Sequence, residues 1–252
     1  YIRQFNEKVF IGINTNAGAR EPEWWAELAN AIGKHGYVIF SVDGLEDTNH
    51  LYRQGVQWNK VKRSMESYIG AGGRARWDFI VFEHNEHQVE QARKLSEDMG
   101  FETFIVKKSS RFVINNSAKK EEHEFFNKKG NKKSSLKETT INQYKNKELN
   151  KLESIKSIHG TMENYYDVSE IVCKVKTDSS VYLTAEGLVL PCCWTAGRMY
   201  KWWHKNPKEE EPIWKFIEKA GGKDAINAKI HSFKKIFDTN LFDNIEKSWN
   251  IH

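Results

Sequence analysis

An α/β fold with a parallel sheet is what the sequence predicts for roughly the first hundred residues of this chain. Four short apolar runs, rich in β-branched and aromatic residues, are typical of buried strands. Segments with apolar residues at helical spacing lie between these runs. Strands that alternate with helices pair in parallel through right-handed crossovers. The sheet is therefore either open and doubly wound or part of a barrel.

The predicted elements follow one another in a regular order. The strands cover Lys8–Asn14, Tyr37–Val42, Trp77–Phe82 and Phe101–Lys107. One helix begins at Pro22, which suits a first helical turn, and two more cover Trp58–Ile69 and Glu86–Met99. Trp24, Leu28 and Ile32 are four residues apart, so they are expected to form the buried face of the first helix. The third helix should bury Val89, Ala92, Leu95 and Met99.

Polar residues follow each predicted strand, at the edge of a parallel sheet where ligands bind. Asn14, Thr15 and Asn16 follow the first strand, while Ser41 and Asp43, with Arg53 further on, follow the second. Glu83-His84-Asn85 follows the third strand. Loops after strands are often polar because they face solvent, so a polar-ligand site and plain solvent-facing loops both remain open.

Several common sites are absent from the sequence. There is no G-x-G-x-x-G after the first strand, and there is no G-x-x-x-x-G-K-[ST] loop, so neither a dinucleotide site nor a phosphate loop is expected. His84 and His87 are three residues apart across a predicted strand-to-helix turn, a spacing that does not favour a metal site. No run of about 18 apolar residues, the length a membrane helix needs, occurs in the chain.

The positive charge is concentrated in one stretch. The 252-residue chain has a net charge of +5, yet residues 107–156 hold 14 Lys or Arg against 6 Asp or Glu. A basic run can bind nucleic acid, but this one contains interspersed Glu and Asn and few apolar residues. We therefore favour a weakly ordered insert, with Ala118–Leu149 loosely ordered and dispensable to the fold.

Three cysteines, Cys173, Cys192 and Cys193, lie near a predicted hairpin with strands Val181–Leu183 and Leu188–Leu190. An odd number with an adjacent pair is a poor disulfide framework, which favours reduced thiols or metal-bound thiolates in the cytoplasm. Free cysteines are also often simply buried in cores. Lys174–Thr177 is predicted to be a strand that brings Cys192 back towards Cys173.

Three stretches resemble the middle of radical S-adenosylmethionine enzymes: TNAGAR, FSVDGLEDTNHLYRQG and FIVFEHNEHQVEQARKLSEDMGF. The second half is similar to the SPASM or twitch-type auxiliary iron–sulfur domain of that family. Its signature is Cys, 9–15 residues, then Gly-x4-Cys, and here 13 residues separate Cys173 from Gly187, which precedes Cys192 by LVLP. The resemblance covers about two hundred residues and implies a partial (β/α)6 TIM-type barrel.

The resemblance also implies cofactors and residue roles. Asn14, Thr15 and Asn16 would line the cleft for S-adenosylmethionine, Ser41 and Asp43 would lie near its ribose, Arg53 would meet its methionine carboxylate, and Asn85 would lie near its adenosine. Cys173, Cys192 and Cys193 would ligate a [4Fe–4S] cluster. The implied reaction is reductive cleavage of S-adenosylmethionine and hydrogen abstraction from a substrate, with a peptide or protein among the candidates and a flavodoxin or ferredoxin as reductant.

The family's Cys-x3-Cys-x2-Cys loop and Gly-Gly-Glu stretch are missing, and no cysteine follows Cys193. We therefore expect a fragment, truncated at both ends and inactive alone. Its predicted regions are a partial barrel over 1–110, a Lys/Asn-rich insert or linker over 111–164 and an auxiliary iron–sulfur domain over 165–252. The alternative is a nucleic-acid-binding module that uses the basic insert and the aromatics of Tyr200-Lys201-Trp202-Trp203-His204.

Overall fold

The computed structural model describes residues 6, 8–114, 118–119, 121–126, 130–170, 172–199 and 212–248. The chain divides into two compact units, which we call unit 1 (Tyr1–Met162) and unit 2 (Glu163–His252). Residues 111–162 of the predicted insert (111–164) belong to unit 1, together with the strands before them. The aromatic segment 200–204, suggested above as a nucleic-acid contact, lies outside the described residues.

Unit 1 is built on a four-stranded parallel sheet. Its strands are β1 (Ile11–Thr15), β2 (Gly36–Ser41), β3 (Ala75–Ile80) and β4 (Thr103–Lys107), and they lie side by side in the order β1-β2-β3-β4. This order has no reversal, which a doubly wound sheet requires, and it is the order of successive strands in a barrel. The predicted α/β fold class is confirmed, with an open barrel-type sheet over the described strands.

Helices connect these strands. They are α1 (Pro22–Ile32), the short α2 (Asn49–Tyr52), α3 (Trp58–Gly70) and, after a 3-10 turn at Glu86–Gln88, α4 (Val89–Asp98). Helices α1 and α3 pack against each other, and Ser67 Oγ donates to the Pro22 carbonyl at 2.5 Å. Their contact places both helices on the same face of the sheet, which is again the arrangement of a barrel.

The buried face of α1 differs from the prediction by one residue. Trp25, Ala29 and Ile32 are buried, whereas Trp24 is 38% exposed. Adjacent tryptophans made the two faces hard to distinguish in the sequence, and Trp25 is the one that packs against Phe40 of β2, with ring centroids 5.5 Å apart. On α4 the predicted face is correct, because Val89 and Ala92 are buried and the larger side chains further along pack against the same core.

The stretch predicted to be loosely ordered contains regular structure. Val113–Ile114 (β5) pairs with Ala118–Lys119 (β6), and Glu122–Phe126 (β7) forms an antiparallel hairpin with Lys132–Lys137 (β8). Leu136 is 3% exposed and packs with Phe82 and Phe112. A few apolar residues on one side of a charged hairpin thus suffice to dock it, although its composition alone predicted weak order. A 3-10 turn at Asn142–Tyr144 and helix α5 (Glu148–His159) follow.

Unit 2 is mainly helical. Its elements are α6 (Met162–Asp167, which begins at the boundary), α7 (Lys174–Thr177), β9 (Tyr182–Leu183), β10 (Val189–Leu190), α8 (Cys193–Met199), α9 (Pro212–Lys219), α10 (Gly222–Ala225), α11 (Phe233–Phe237) and α12 (Leu241–Lys247). The predicted hairpin is confirmed as β9 and β10, with Gly187 at φ 99° in the turn. Leu188, Val189 and Leu190 are buried in the core of this unit.

The prediction of a strand at Lys174–Thr177 is wrong, because these residues form one helical turn. Thr177 and Asp178 donate backbone hydrogen bonds back to Cys173 and Lys174 at 3.1 and 2.8 Å. Alternation over only four residues cannot distinguish a strand from a single turn of helix. Across both units, none of the described helices combines the length and the apolar character that a membrane crossing would need.

Candidate functional site at the carboxyl edge of the sheet

Asp43 is the centre of the polar cluster after β2. Its side chain is fully buried, and its Oδ2 accepts a hydrogen bond from Arg53 Nε at 2.6 Å. Its Oδ1 accepts from the backbone N–H of Ile80, the last residue of β3, also at 2.6 Å. Burial raises the pKa of Asp43, while the Arg53 charge and the Ile80 N–H favour its ionised form. The carboxylate therefore joins two strand ends to a loop arginine.

Asn85 also joins the ends of these two strands. It is fully buried, and its Nδ2 donates to the carbonyls of Asp43 at 2.9 Å and Ile80 at 3.0 Å. Its Oδ1 accepts from the backbone N–H of Phe82 at 2.7 Å. The structure thus brings Asp43, Arg53 and Asn85 together. Asp43 and Asn85 are buried and hydrogen-bonded within the protein. Their role is therefore to hold the loops that would surround a ligand.

Ser41 and Asn14 lie on the sheet face opposite the α1–α3 core. In-register partners of parallel strands share a face, and Asn14 is opposite Ile39 while Ser41 is opposite Asp78. The helix-packed face carries Phe40 and Trp77 instead. Asn14 is exposed and Ser41 is half-buried, so both side chains can reach a ligand on the face of the sheet that would line a barrel.

Two charged residues of β3 on this face, Arg76 and Asp78, were not predicted. Arg76 donates to both Asp78 oxygens at 2.8 and 3.1 Å, and Lys107 Nζ lies 3.4 Å from Asp78 Oδ2. The sequence predicted β3 as an apolar run. Its period of two, in which Arg76 and Asp78 alternate with Trp77 and Phe79, was the signal for a polar side facing away from the helices.

The side chains after β1 shape their own loop. Thr15 Oγ1 accepts from the backbone N–H of Ala17, and Asn16 Oδ1 accepts from that of Gly18, both at 3.0 Å. Ala17 is buried with a φ of 54°, a left-handed conformation that costs free energy for a residue with a Cβ. The two side-chain oxygens stabilise this turn, whereas Asn14 is exposed and its side chain takes no part in the turn.

The guanidinium groups of two arginines contact the ring of Tyr52. The guanidinium carbon of Arg53 lies 4.8 Å from the Tyr52 ring centre, and that of Arg111 lies 5.1 Å from it. Arg111 also donates to the Tyr52 hydroxyl from Nε at 3.1 Å and from Nη2 at 2.6 Å. Tyr52 packs on Phe82 with its ring centroid 4.9 Å away. Two arginines from different loops are thereby held on one aromatic side chain beside Asp43.

His84, after the end of β3, is half-buried and has one buried, unsatisfied ring nitrogen. Its ring stacks on Phe82 at 5.5 Å, and its Nε2 has no hydrogen-bond partner within the part of the chain that the structure describes. Burial, followed by the charges of His50 and His87, lowers the pKa of His84 to about 4. The imidazole is therefore neutral at physiological pH. The neighbouring Glu86 accepts from Thr139 Oγ1 at 2.5 Å and from the backbone N–H of Thr140 at 2.7 Å, so it ties the β8 segment to the strand end.

The three thiols of unit 2 lie around the hairpin. Cys173 and Cys192 are half-buried, Cys193 is exposed, and none of them is in a disulfide. Cys192 Sγ lies 3.3 Å from Thr195 Oγ1. Cys173 lines a largely apolar cavity of about 400 Å³, together with Pro191, Phe237, Phe242 and Ile245. Across the described residues, no three or more His, Cys, Asp or Glu side chains are grouped so as to hold a metal ion.

No protein-family model and no curated protein matches this chain. Among solved structures, Streptococcus suis SuiB is 12% identical over 94% of this chain and 50% of its own, with a TM-score of 0.44. SuiB bound to the precursor peptide SuiA is 16% identical over 75% of this chain and 44% of its own, with a TM-score of 0.41. Native anSMEcpe with bound AdoMet (S-adenosylmethionine) is 13% identical over 96% of this chain and 60% of its own, with a TM-score of 0.45. The chain spans about half of the length of these structures.

Proposed function

We propose that this chain is part of a radical S-adenosylmethionine enzyme and that it contributes one wall of the S-adenosylmethionine site. The observation that carries the proposal is the linkage of Asp43, Arg53 and Asn85 at the carboxyl edge of a sequentially ordered parallel sheet. This is the edge at which barrel enzymes bind their ligands. The stretches TNAGAR and FSVDGLEDTNHLYRQG, which resemble that family, supply the residues after β1 and β2.

The protein's own groups fit the polar parts of this cofactor. The Nη groups of Arg53 make no hydrogen bond to the described residues and suit the methionine carboxylate, because a guanidinium can bind a carboxylate with two parallel bonds. Ser41 and Asn14 offer a hydroxyl and an amide to the ribose and the polar edge of the adenosine. Asp43 and Asn85 act as positioning residues, which keep the loops in place. When bound and reduced by the family's reactive cluster, S-adenosylmethionine supplies a 5′-deoxyadenosyl radical.

For unit 2 we propose that Cys173, Cys192 and Cys193 contribute ligands to an auxiliary iron–sulfur cluster. The spacing of Cys173, Gly187 and Cys192 supports this assignment. A cluster held by four thiolates cannot be completed from three cysteines, and the described residues form no metal-binding group, so no chemical step is derived through the cluster. The proposed substrate is a peptide or protein, and the proposed reductant is a flavodoxin or ferredoxin.

The basic stretch gives less support to nucleic-acid binding. Lys132 of the hairpin lies 2.7 Å from Glu124 and 3.9 Å from Glu122, so acidic neighbours offset its charge. Paired lysines of this kind are less available to phosphate groups than a row of unpaired ones.

Equilibrium dialysis with S-adenosylmethionine tests the proposal for unit 1. We expect saturable binding, a loss of about tenfold or more in affinity for Arg53→Gln, and a smaller loss for Ser41→Ala. Arg93→Gln is the matched control, because Arg93 pairs with Glu90 on the surface of α4. No saturable binding by the folded chain, or equal losses in Arg53→Gln and Arg93→Gln, would contradict the assignment.

Anaerobic reconstitution with iron and sulfide tests the proposal for unit 2. We expect the chain to take up a weak, labile cluster with the charge-transfer absorption of iron–thiolate bonds. Cys192→Ser and Cys173→Ser should each lower the iron content, whereas Ser179→Ala, which changes another residue of the cavity that Cys173 lines, should not. Iron uptake that is the same in Cys192→Ser as in the unchanged chain would contradict the ligand assignment.

A further inference from the structure

A second cation is held beside Arg53 by an arrangement that the proposed cofactor site does not itself require. Arg111 follows β4 in the chain, whereas Arg53 follows α2, yet both guanidinium groups lie within about 5 Å of the Tyr52 ring centre. Cation–π contacts of this kind fix the position of a guanidinium without using up all of its hydrogen-bond donors.

The donors that remain on this cluster are numerous. Arg53 uses only Nε, for Asp43, and Arg111 uses Nε and Nη2, both for the Tyr52 hydroxyl. Both Nη groups of Arg53 and the Nη1 group of Arg111 therefore make no hydrogen bond to the described residues. The Tyr52 oxygen accepts from Arg111, so its own O–H is also left to donate.

The two arginines beside Tyr52 differ in their charge partners. Arg53 Nε lies 2.6 Å from the buried Asp43 carboxylate, whereas Arg111 makes no ion pair with the described residues and donates to the Tyr52 hydroxyl. Asp43 is fully buried behind Arg53, whose side chain is 22% exposed, and Arg111 is exposed. The unpaired positive charge is therefore on the accessible side, where an anion from solution could reach it.

We propose that Tyr52, Arg53 and Arg111 form one carboxylate-binding unit, which we call the Tyr52 clamp, at the carboxyl edge of the sheet. Planar donors at this spacing match a carboxylate, which can accept bidentate bonds from guanidinium groups. Arg53 alone was assigned to the cofactor above, and Arg111 is the residue that this proposal adds. Asp43 acts as a positioning residue, since it holds Arg53 through Nε and leaves the other donors free.

Two carboxylates could occupy the clamp if the proposed function is correct: that of S-adenosylmethionine and that of an acidic residue in a peptide substrate. The choice of these two carboxylates rests on the proposed function. Binding of a carboxylate to the clamp, however, can be measured without the enzymatic reaction. The probes are S-adenosylhomocysteine, with methylthioadenosine as its counterpart lacking the carboxylate, and the capped peptide Gly-Asp-Gly, with Gly-Asn-Gly as its neutral counterpart.

The experiment follows the arginine Nε–H signals of the folded chain by 1H–15N NMR, with Arg53 and Arg111 assigned from Arg→Lys variants. We expect a carboxylate probe to shift both signals and its neutral counterpart to shift neither. Arg111→Gln should lower the affinity of the chain for that carboxylate probe by about ten- to a hundredfold, as expected for the loss of a hydrogen bond to a charged group. Arg111→Lys should restore part of the loss, and Arg93→Gln, on α4, should leave the affinity unchanged.

The outcomes separate the clamp from the proposed function. Shifts with S-adenosylhomocysteine but not with methylthioadenosine assign the clamp to the cofactor, whereas shifts with Gly-Asp-Gly alone assign it to a peptide. Binding of both nucleosides without any shift of Arg111 overturns the clamp and leaves the cofactor site standing. Binding of Gly-Asp-Gly through Arg111 with no nucleoside binding keeps the clamp and contradicts the cofactor assignment. Failure of every carboxylate probe to shift Arg111 overturns the clamp.

Discussion

Unit 1 and unit 2 use different means to place their polar residues. In unit 1 the sheet is four strands wide, and its largest fully buried side chains are aromatic, with Trp77, Tyr68, Phe40 and Phe79 among them. In unit 2 the only sheet of the described residues is a pair of two-residue strands, and its fully buried side chains are aliphatic.

The difference shows in the candidate sites. Asp43 and Asn85 are fully buried and bonded to the ends of two strands, so the sheet itself determines where they lie. Cys173, Cys192 and Cys193 lie at the ends of short helical segments, and none of them is buried. The wide sheet holds its polar groups through buried hydrogen bonds to the strand ends, whereas the thiols of unit 2 occupy half-buried or exposed positions beside the small hairpin. The site in unit 1 should therefore be present before any ligand binds.

Loss of one aromatic side chain should cause the largest difference in stability between the two units. Trp77→Ala removes a fully buried ring and its Nε1 hydrogen bond to the Val42 carbonyl, at 2.8 Å. We expect a loss of about 3–5 kcal/mol in the free energy of unfolding of unit 1. Hydrogen exchange should show lower protection in β1–β4 and unchanged protection at Val189 and Leu190. The reverse pattern is expected for Ile217→Ala, and equal losses in both units would contradict their independence.

Removal of the Asp43 carboxylate should be the next largest effect. Asp43→Ala leaves Arg53 without its ion pair and the Ile80 N–H without an acceptor, and we expect a loss of about 2–4 kcal/mol, since Arg53 is partly exposed. Glu102→Ala is the matched control, because its pair with Arg74 is exposed on both sides and should cost less than about 1 kcal/mol. Urea unfolding measures both. Similar losses in the two variants would show that Asp43 does not organise the strand ends.

The half-buried His84 predicts a pH dependence. Its folded-state pKa of about 4 lies below the ordinary value of 6.5, so the unfolded chain takes up a proton first as the pH falls. Stability should therefore be complete above about pH 6.5 and decrease as the pH falls towards 4. After allowance for partial exposure, His84→Phe should remove about 1–2 kcal/mol of this decrease.

Urea unfolding at pH 8, 6 and 5 measures the effect of His84. His231→Phe, in unit 2, is the control for a loss of imidazole elsewhere in the chain. If the difference in stability between pH 8 and pH 5 is the same in His84→Phe as in the unchanged chain, His84 does not cause it.

A smaller effect is expected where the hairpin segment meets the end of β3. Glu86→Gln weakens the hydrogen bonds from Thr139 and Thr140, and we expect a loss of about 1 kcal/mol. The loss should appear as faster hydrogen exchange in β7 and β8. Glu90→Gln, which breaks an exposed contact to Arg93, should leave this exchange unchanged. Unchanged exchange in Glu86→Gln would mean that the hairpin is held by its apolar contacts alone.

The sequence was most informative where its pattern reflects the sheet. The apolar runs identified all four strands to within a few residues, because the sheet face that packs on the helices is rich in β-branched and aromatic side chains. The same logic placed Asp43, Arg53 and Asn85 at one edge. It missed Asp78, since a single acidic residue in an apolar run looks like an exception rather than the polar side of a strand.

Tertiary contacts explain what the sequence did not predict. The hairpin segment Glu122–Lys137 has seven charged residues among sixteen, and it is docked by Leu136 and Phe125 against residues far away in the chain. Lys174–Thr177 is too short for its periodicity to be decisive, and its hydrogen bonds close a helical turn. Arg111 was counted only as part of a basic run, because its contact with Tyr52 joins loops that are 59 residues apart.

Chemical-shift mapping of S-adenosylhomocysteine on the 15N-labelled chain tests the central claim most directly. The account predicts that perturbed amides cluster after the four strands, at residues 16–20, 42–44, 81–85 and 108–111. The amino ends of the strands, at Gly36, Ala75 and Thr103, should stay unperturbed. Perturbations confined to those amino ends or to unit 2, or none at a saturating concentration, would contradict a cofactor site at the carboxyl edge of the sheet.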